Sequence, residues 1–266
     1  LGFMLTWIIV GIFIIGIVVS SLSFGKDKKV TIKPNSILEV ALNSPIEERS
    51  GNNPFENFDL GSMKSNQAIG LDKILKSFKE AATDPNIEGI FINVSSVQAA
   101  PATLEAIRNG LLEFKKSKKF IVSYADSYTQ GAYYIASVAD KIYLNREGAI
   151  DLKGMSLQVM FYKGLLAKLD IEPQIIRHGK FKSAVEPYIL DKMSEANKEQ
   201  LMTYIGSTWN HIVDGIATQR KIGSEIIQQA ANELTLLDPE KCLELKFVDG
   251  LIYKDELIAE LKKKTK

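Results

Sequence analysis

The chain has 266 residues, 45% hydrophobic and 24% charged, which is room for one membrane segment and one domain with a sizeable core. Lys and Arg total 33 against 32 Asp and Glu, so no excess of positive charge draws the chain to nucleic acid. The one cysteine, Cys242, excludes an internal disulfide and a multi-cysteine metal site, and the two histidines, His178 and His211, are too few for a histidine-based zinc site.

Residues 1–25 carry no charge, and the run from Trp7 to Val19 is almost purely aliphatic. A bilayer core of about 30 Å takes roughly 20 such residues as a helix, and residues 3–22 supply that length. An uncleaved transmembrane anchor over 1–25 is therefore expected. The alternative is a cleaved signal peptide, whose apolar core runs to about 7–15 residues before a small-residue site; Ser20 to Phe24 make a poor one. Gly11 and Gly16 are five apart and do not form a small-xxx-small dimer motif. Lys26, Lys28 and Lys29 follow the run, and positive charge favours the cytoplasmic side. Orientation stays open, because the chain begins with Leu1 rather than Met and a truncation upstream is expected.

Residues 26–35 read as a polar linker and Ser36–Leu42 as a strand. Residues 44–66, with Pro45, Gly51, Pro54, Gly61 and several Asn, read as a mobile loop. From Ile69 onward, helix and strand alternate. Leu71, Ile74, Leu75 and Phe78 recur at helical spacing within 69–82, and Asp84-Pro85-Asn86 stops that helix. Residues 89–94 form a buried-strand run. Residues 102–117 form a helix with Pro101 at its start, where proline is welcome. A strand at 119–125, a helix at 128–138, a short strand at 141–144, a helix at 159–169 and a strand at 173–177 follow. A long helix over 194–220 and shorter ones at 224–233, 239–245 and 255–264 close the chain. This alternation predicts an α/β fold with a mainly parallel sheet. No Gly-x-Gly-x-x-Gly and no P-loop supports nucleotide binding.

Three stretches carry more than fold class. They are Ser127 to Tyr143, containing Thr129-Gln-Gly-Ala-Tyr-Tyr134; Gly148-Ala-Ile-Asp-Leu-Lys-Gly154; and Gly179-Lys-Phe-Lys-Ser-Ala-Val-Glu-Pro-Tyr188 with Met193-Ser-Glu-Ala-Asn197. Together they resemble the N-terminal half of the long, two-repeat form of the signal peptide peptidase A (protease IV) family, over roughly residues 36–260. The resemblance implies a crotonase- or Clp protease-like spiral of ββα units, with residues 36–266 forming an N-terminal peptidase repeat. It implies a membrane-bound serine endopeptidase with a Ser-Lys dyad, acting without metal or cofactor. Its implied partners are signal peptides and other apolar peptides, the lipid bilayer, and further copies in a homotetramer. Its implied place is the outer, periplasmic face of the bacterial cytoplasmic membrane.

The lysine of the family's Lys-Ser-Ala-Val-Glu-Pro string falls on Lys182. The family's nucleophilic serine lies in an Ala-Ser-Gly-Gly-Tyr-Tyr string of the C-terminal repeat. Here Gln130 holds the serine's place, and glutamine is no nucleophile. An active chain is thus expected to need about 300 further residues downstream, by domain-size reasoning.

A lysine works as a general base only when neutral, so an amine with a free pKa near about 10.4 has to be shifted down by several units. Burial does this by penalising the ammonium form. Ala184, Val185, Tyr188, Ile189 and Leu190 are expected to wall Lys182 in, and a helix capped by Ser183 would add its positive end. Glu186 is the rival partner, since a salt bridge to Lys182 would hold the charge on.

Other candidates carry less. Ser183 adjoins Lys182, and neighbours in sequence rarely bring both side chains into hydrogen-bonding distance. His178 has no Gly-x-Ser-x-Gly partner and reads as a surface or supporting histidine. Gln130 and Gly131 sit at a strand-to-helix turn whose N–H groups resemble a vestigial oxyanion hole. Tyr133 and Tyr134 read as packing. Against the peptidase stands a second reading, a non-catalytic membrane-anchored scaffold of the same fold. A third, an acyl-CoA-handling crotonase relative, is opposed by the membrane run and the lysine string.

Overall fold

The computed structural model describes residues 2–23, 31–49, 58–59, 64–65, 68–176, 178–179 and 182–266. Two compact units divide it, Leu1–Lys33 and Pro34–Lys266.

In the first unit, helix α1 spans Gly2–Ser23. Side chains are described for residues 2–15, a length of about 21 Å at 1.5 Å per residue. Phe3, Met4, Trp7, Ile8, Phe13 and Ile15 are all exposed there. No helix among the described residues is long and apolar enough to cross a membrane. Residues 26–30 of the expected linker, and residues 50–57, 60–63 and 66 of the expected mobile loop, lie outside the described residues.

The second unit is built on a sheet of five strands, which we label β1 (Ser36–Val40), β2 (Ile87–Asn93), β3 (Phe120–Ala125), β4 (Lys141–Leu144) and β5 (Gly250–Leu251). They lie side by side in chain order, and every pairing is parallel. The mainly parallel α/β sheet expected from the alternation is thus what the chain forms. Parallel strands need crossovers. Helices α2 (Leu71–Thr83), α3 (Pro101–Lys115) and α4 (Gln130–Ala136) supply the first three.

The strands alternate between two cores, because successive side chains point to opposite faces. Ile90 and Ile92 of β2, with Ile121 and Ala125 of β3, face the larger core shared with α2, α3 and α4. Phe91, Val122 and Tyr124 face the other side, under Leu257 and Leu261 of the C-terminal helix over Lys254–Lys264. Both faces are covered, which explains why these strands read as near-continuous apolar runs.

Between β4 and β5 lies a long excursion. Its helices are α5 (Lys163–Lys168), α6 (Glu186–Ile189), α7 (Glu195–Arg220), α8 (Ser224–Glu233) and α9 (Pro239–Glu244), with Lys254–Lys264 as α10. Three expectations fail in or near it. Residues 173–176 form no strand: Ile176 is fully exposed at 103%, and β-branched residues make a strand only where a neighbouring edge offers a ladder. The helix expected over 159–169 contracts to α5, because its flanks lack an apolar surface to lie on. The helix expected from Tyr128 starts at Gln130, because Tyr128–Thr129 pair with Ile150–Asp151 as a short parallel ladder. Cys242, in a charged stretch of sequence, is fully buried and its thiol donates to the Leu236 carbonyl at 3.2 Å. Burial pushes that thiol's pKa up to about 12.

Candidate active site

The chain brings two motif segments into order in different ways. The first is the strand-to-helix turn at Gln130. The Tyr128 N–H donates to the Ala149 carbonyl and the Thr129 N–H to the Ser95 carbonyl, each at 2.9 Å. Tyr128 itself is fully buried, its hydroxyl 2.9 Å from Ser123 Oγ and donating to the Tyr143 carbonyl at 3.1 Å. From this fixed base α4 runs into the core, with residues 132–136 buried throughout. Gln130 opens the helix, and its Oε1 accepts from the N–H groups of Lys153 and Gly154, at 3.4 and 3.1 Å. Gly154 takes φ +82, a left-handed conformation that glycine allows at little cost. The turn is therefore fixed on both sides, with the Gln130 carboxamide held over the backbone of residues 153–154.

Tyr133 and Tyr134 pack, as the sequence suggests. Tyr133 is fully buried, meets Tyr128 edge to face, and donates to the Phe247 carbonyl at 2.7 Å. Tyr134 donates to Glu105 and lies under the Arg108 guanidinium, 4.9 Å from the ring centre. Sequence reading did not find this group, although the spacing was there: Glu105 and Arg108 are one turn apart on α3, and His211 and Gly215 one turn apart on α7. Arg108 donates to the Gly215 carbonyl at 2.7 Å, and His211 Nε2 stands 3.1 Å from Glu105. Burial pulls the Glu105 carboxyl upward, but hydrogen bonds from Tyr134 and His211 outweigh it and hold it below the ordinary carboxylate range.

The second segment is the lysine turn. Lys182 precedes a single 3-10 turn, Ser183–Val185, which leads directly into α6. Lys182 and Ala184 are exposed, Ser183 and Val185 half-buried, and Tyr188 is 45% exposed. The apolar wall expected around Lys182 is thus not built by the described residues. One 3-10 turn and a four-residue helix are too short to fold back over their own first side chain. The expected cap is also missing, since no side chain caps either helix.

Glu186 is the buried member of the turn, 3% exposed. Its carboxylate accepts from the Ser194 hydroxyl at 2.6 Å, the Ser194 N–H at 3.2 Å and the Asn197 side-chain amide at 3.0 Å. It is turned toward α7, not toward Lys182. Ser194 in turn caps α7, accepting from the Asn197 N–H at 3.2 Å. The Tyr162 N–H donates to the Pro187 carbonyl at 2.6 Å, and Tyr162 stacks on Tyr188. Lys163 pairs with Asp191 at 2.7 Å. A hollow of about 380 Å³ opens beside the turn, lined by Leu166, Ala167, Ile171, Pro173 and Tyr188 among others. His178 is exposed. Among the described residues no group of three or more His, Cys, Asp or Glu is placed to hold a metal ion.

These two segments are also where the chain meets known proteins. The profile of Peptidase family S49 matches residues 113–266, which takes in both the Gln130 turn and the lysine turn. Protease 4 of Haemophilus influenzae is 35% identical over 167 residues, covering 62% of this chain and 27% of its own length. The chloroplastic serine protease SPPA of Arabidopsis thaliana is 29% identical over 199 residues, covering 75% of this chain and 29% of its own. The chain thus spans less than a third of either relative. A solved structure of a membrane-bound stomatin-specific protease covers 87% of the chain at 12% identity, with a TM-score of 0.46.

Proposed function

The chain belongs to peptidase family S49, and from that premise we propose that it supplies the general base, Lys182, of a serine peptidase whose nucleophile comes from a second repeat. One observation carries the reading. Gln130 stands where the resembled family's serine string would put its nucleophile, while the lysine string is complete and the Lys182 side chain is exposed.

In the proposed reaction a neutral Lys182 amine accepts the proton of the incoming serine hydroxyl as its oxygen attacks the scissile carbonyl. The ammonium so formed protonates the leaving amine, and water then releases the acyl group by the same base. An amine in water is too basic for this, so it has to be desolvated. The docking repeat would do that. Tyr188, Leu169, Ile171 and Ile176 are exposed on the same excursion and offer an apolar surface for it.

The substrates we assign are signal peptides and other apolar peptides. The assembly is a homotetramer with a crotonase- or Clp-like spiral fold in each repeat, residues 36–266 forming the N-terminal one. The anchor we assign is the uncharged, apolar run over residues 1–25. The location we assign, by the family resemblance, is the outer side of the bacterial cytoplasmic membrane.

The test is Lys182→Ala in the full-length protein, assayed on a fluorogenic apolar peptide. We expect kcat/KM to fall on the order of 10³-fold or more with the melting temperature unchanged. The 266-residue chain alone should turn nothing over. An active Lys182→Ala enzyme refutes the base. A wild-type full-length protein with no turnover favours the scaffold reading.

A further inference from the structure

Helix α7 has 26 residues, a strut of about 39 Å. Its C-terminal end is rooted. Ile212, Val213 and Ile216 are buried in the main core, Arg108 holds the Gly215 carbonyl, and Arg220 bonds Asp249 at 3.1 Å and the Lys246 carbonyl at 3.0 Å. From 198 to 211 no residue of α7 is fully buried. At the far end Asn197 is again buried, and there the Glu186 carboxylate collects Ser194 and Asn197. In a capping box the residue three positions into a helix reaches back to the N-cap N–H. Asn197 occupies that position here, and Glu186, eight residues before the N-cap, reaches the N-cap N–H instead.

We propose that Glu186 is a positioning residue for Lys182, its buried carboxylate fixing the lysine turn to the N-terminal end of α7 so that the rooted strut determines where the amine is presented. The inference rests on Lys182 being the base. Lys182 lies four residues before Glu186, across a single 3-10 turn. Without the carboxylate, the Ser194 N–H and the Asn197 amide lose a buried partner, and the turn loses its attachment to α7. Glu186 touches no reacting atom. Its removal should act on the placement of the base, and so on kcat, and not on substrate affinity.

The experiment compares Glu186→Ala, Glu186→Gln and Lys182→Ala in the full-length protein on a fluorogenic apolar peptide, with hydrogen exchange read across 183–198 and across the sheet. We expect Glu186→Ala to lower kcat about 10²-fold, the scale of a 1 Å misplacement, with KM within about 3-fold. Glu186→Gln keeps one carbonyl oxygen and should recover part of the rate. Exchange should quicken in 183–198 and stay unchanged in the sheet. Wild-type kcat in Glu186→Ala, beside an inactive Lys182→Ala, overturns the positioning role and leaves the base intact. An active Lys182→Ala overturns the base itself. Should Glu186→Ala fail to fold, Ser194→Ala and Asn197→Ala remove the donors singly. Lowered kcat with unchanged sheet exchange supports the clasp, and wild-type kcat in both overturns it.

Discussion

The sheet-centred core and the excursion that leaves it after Ile150–Asp151 are built from the same kinds of residue and fare differently. Ile121, Ile142, Leu111 and Ile135 are fully buried, whereas Leu165, Leu169, Ile171 and Ile176 are 50% exposed or more. Composition does not separate them. In the core, each apolar side chain has a strand or helix of the same chain above it; on the excursion, α5, α6 and the first half of α7 have few such neighbours. These exposed apolar side chains lie on the same excursion that carries Lys182. The polar contacts differ in the same sense. Around α4 they lock the turn that opens at Gln130, while around Lys182 the turn is held at its base through Glu186 and the amine itself is left in solvent.

That contrast can be broken or sharpened in the isolated chain. The largest effect belongs to the core. Leu111, fully buried between α3 and its neighbours, should cost about 2–5 kcal/mol of stability as Leu111→Ala, read by denaturant unfolding, because the cavity adds to the lost transfer energy. A smaller effect lies at the seam of α3, α4 and α7. The Glu105 carboxyl is held below its ordinary range, so its contribution is present above the unfolded pKa and is lost as pH falls through the folded one. Glu105→Gln should therefore flatten the acid limb of the stability–pH curve, and an unchanged limb would show that the Tyr134–Glu105–His211 group does not couple the helices. The smallest effect is on the excursion. Ile176→Ser should change stability by no more than about 0.5 kcal/mol, since an exposed side chain has no packing to lose. A larger loss would mean that the excursion is covered within this chain.

Much of the core was legible because local pattern and tertiary demand agree there. Residues 141–144 form the expected strand, α8 spans the expected 224–233, and Pro101 begins α3 as its missing N–H allows. Reading failed where pattern had no partner to act on. Pro173 to Ile176 have strand-like residues and no ladder, and β5 is a two-residue strand too short to announce itself. At the site, the resemblance alone set Gln130 against the family's serine and Lys182 against its lysine. The partners of Glu186 were not legible: sequence proximity suggested Lys182, whereas in the fold the carboxylate accepts from Ser194 and Asn197 at the head of α7.

What the sequence determined by itself is therefore the α/β alternation and the family. These follow from local spacing and from the identity of single side chains. Whether Lys182 is buried or exposed, and what holds its turn, was decided only in three dimensions, because burial depends on what the rest of the fold places overhead. Here the fold places α7 beneath the turn and leaves the amine open to solvent.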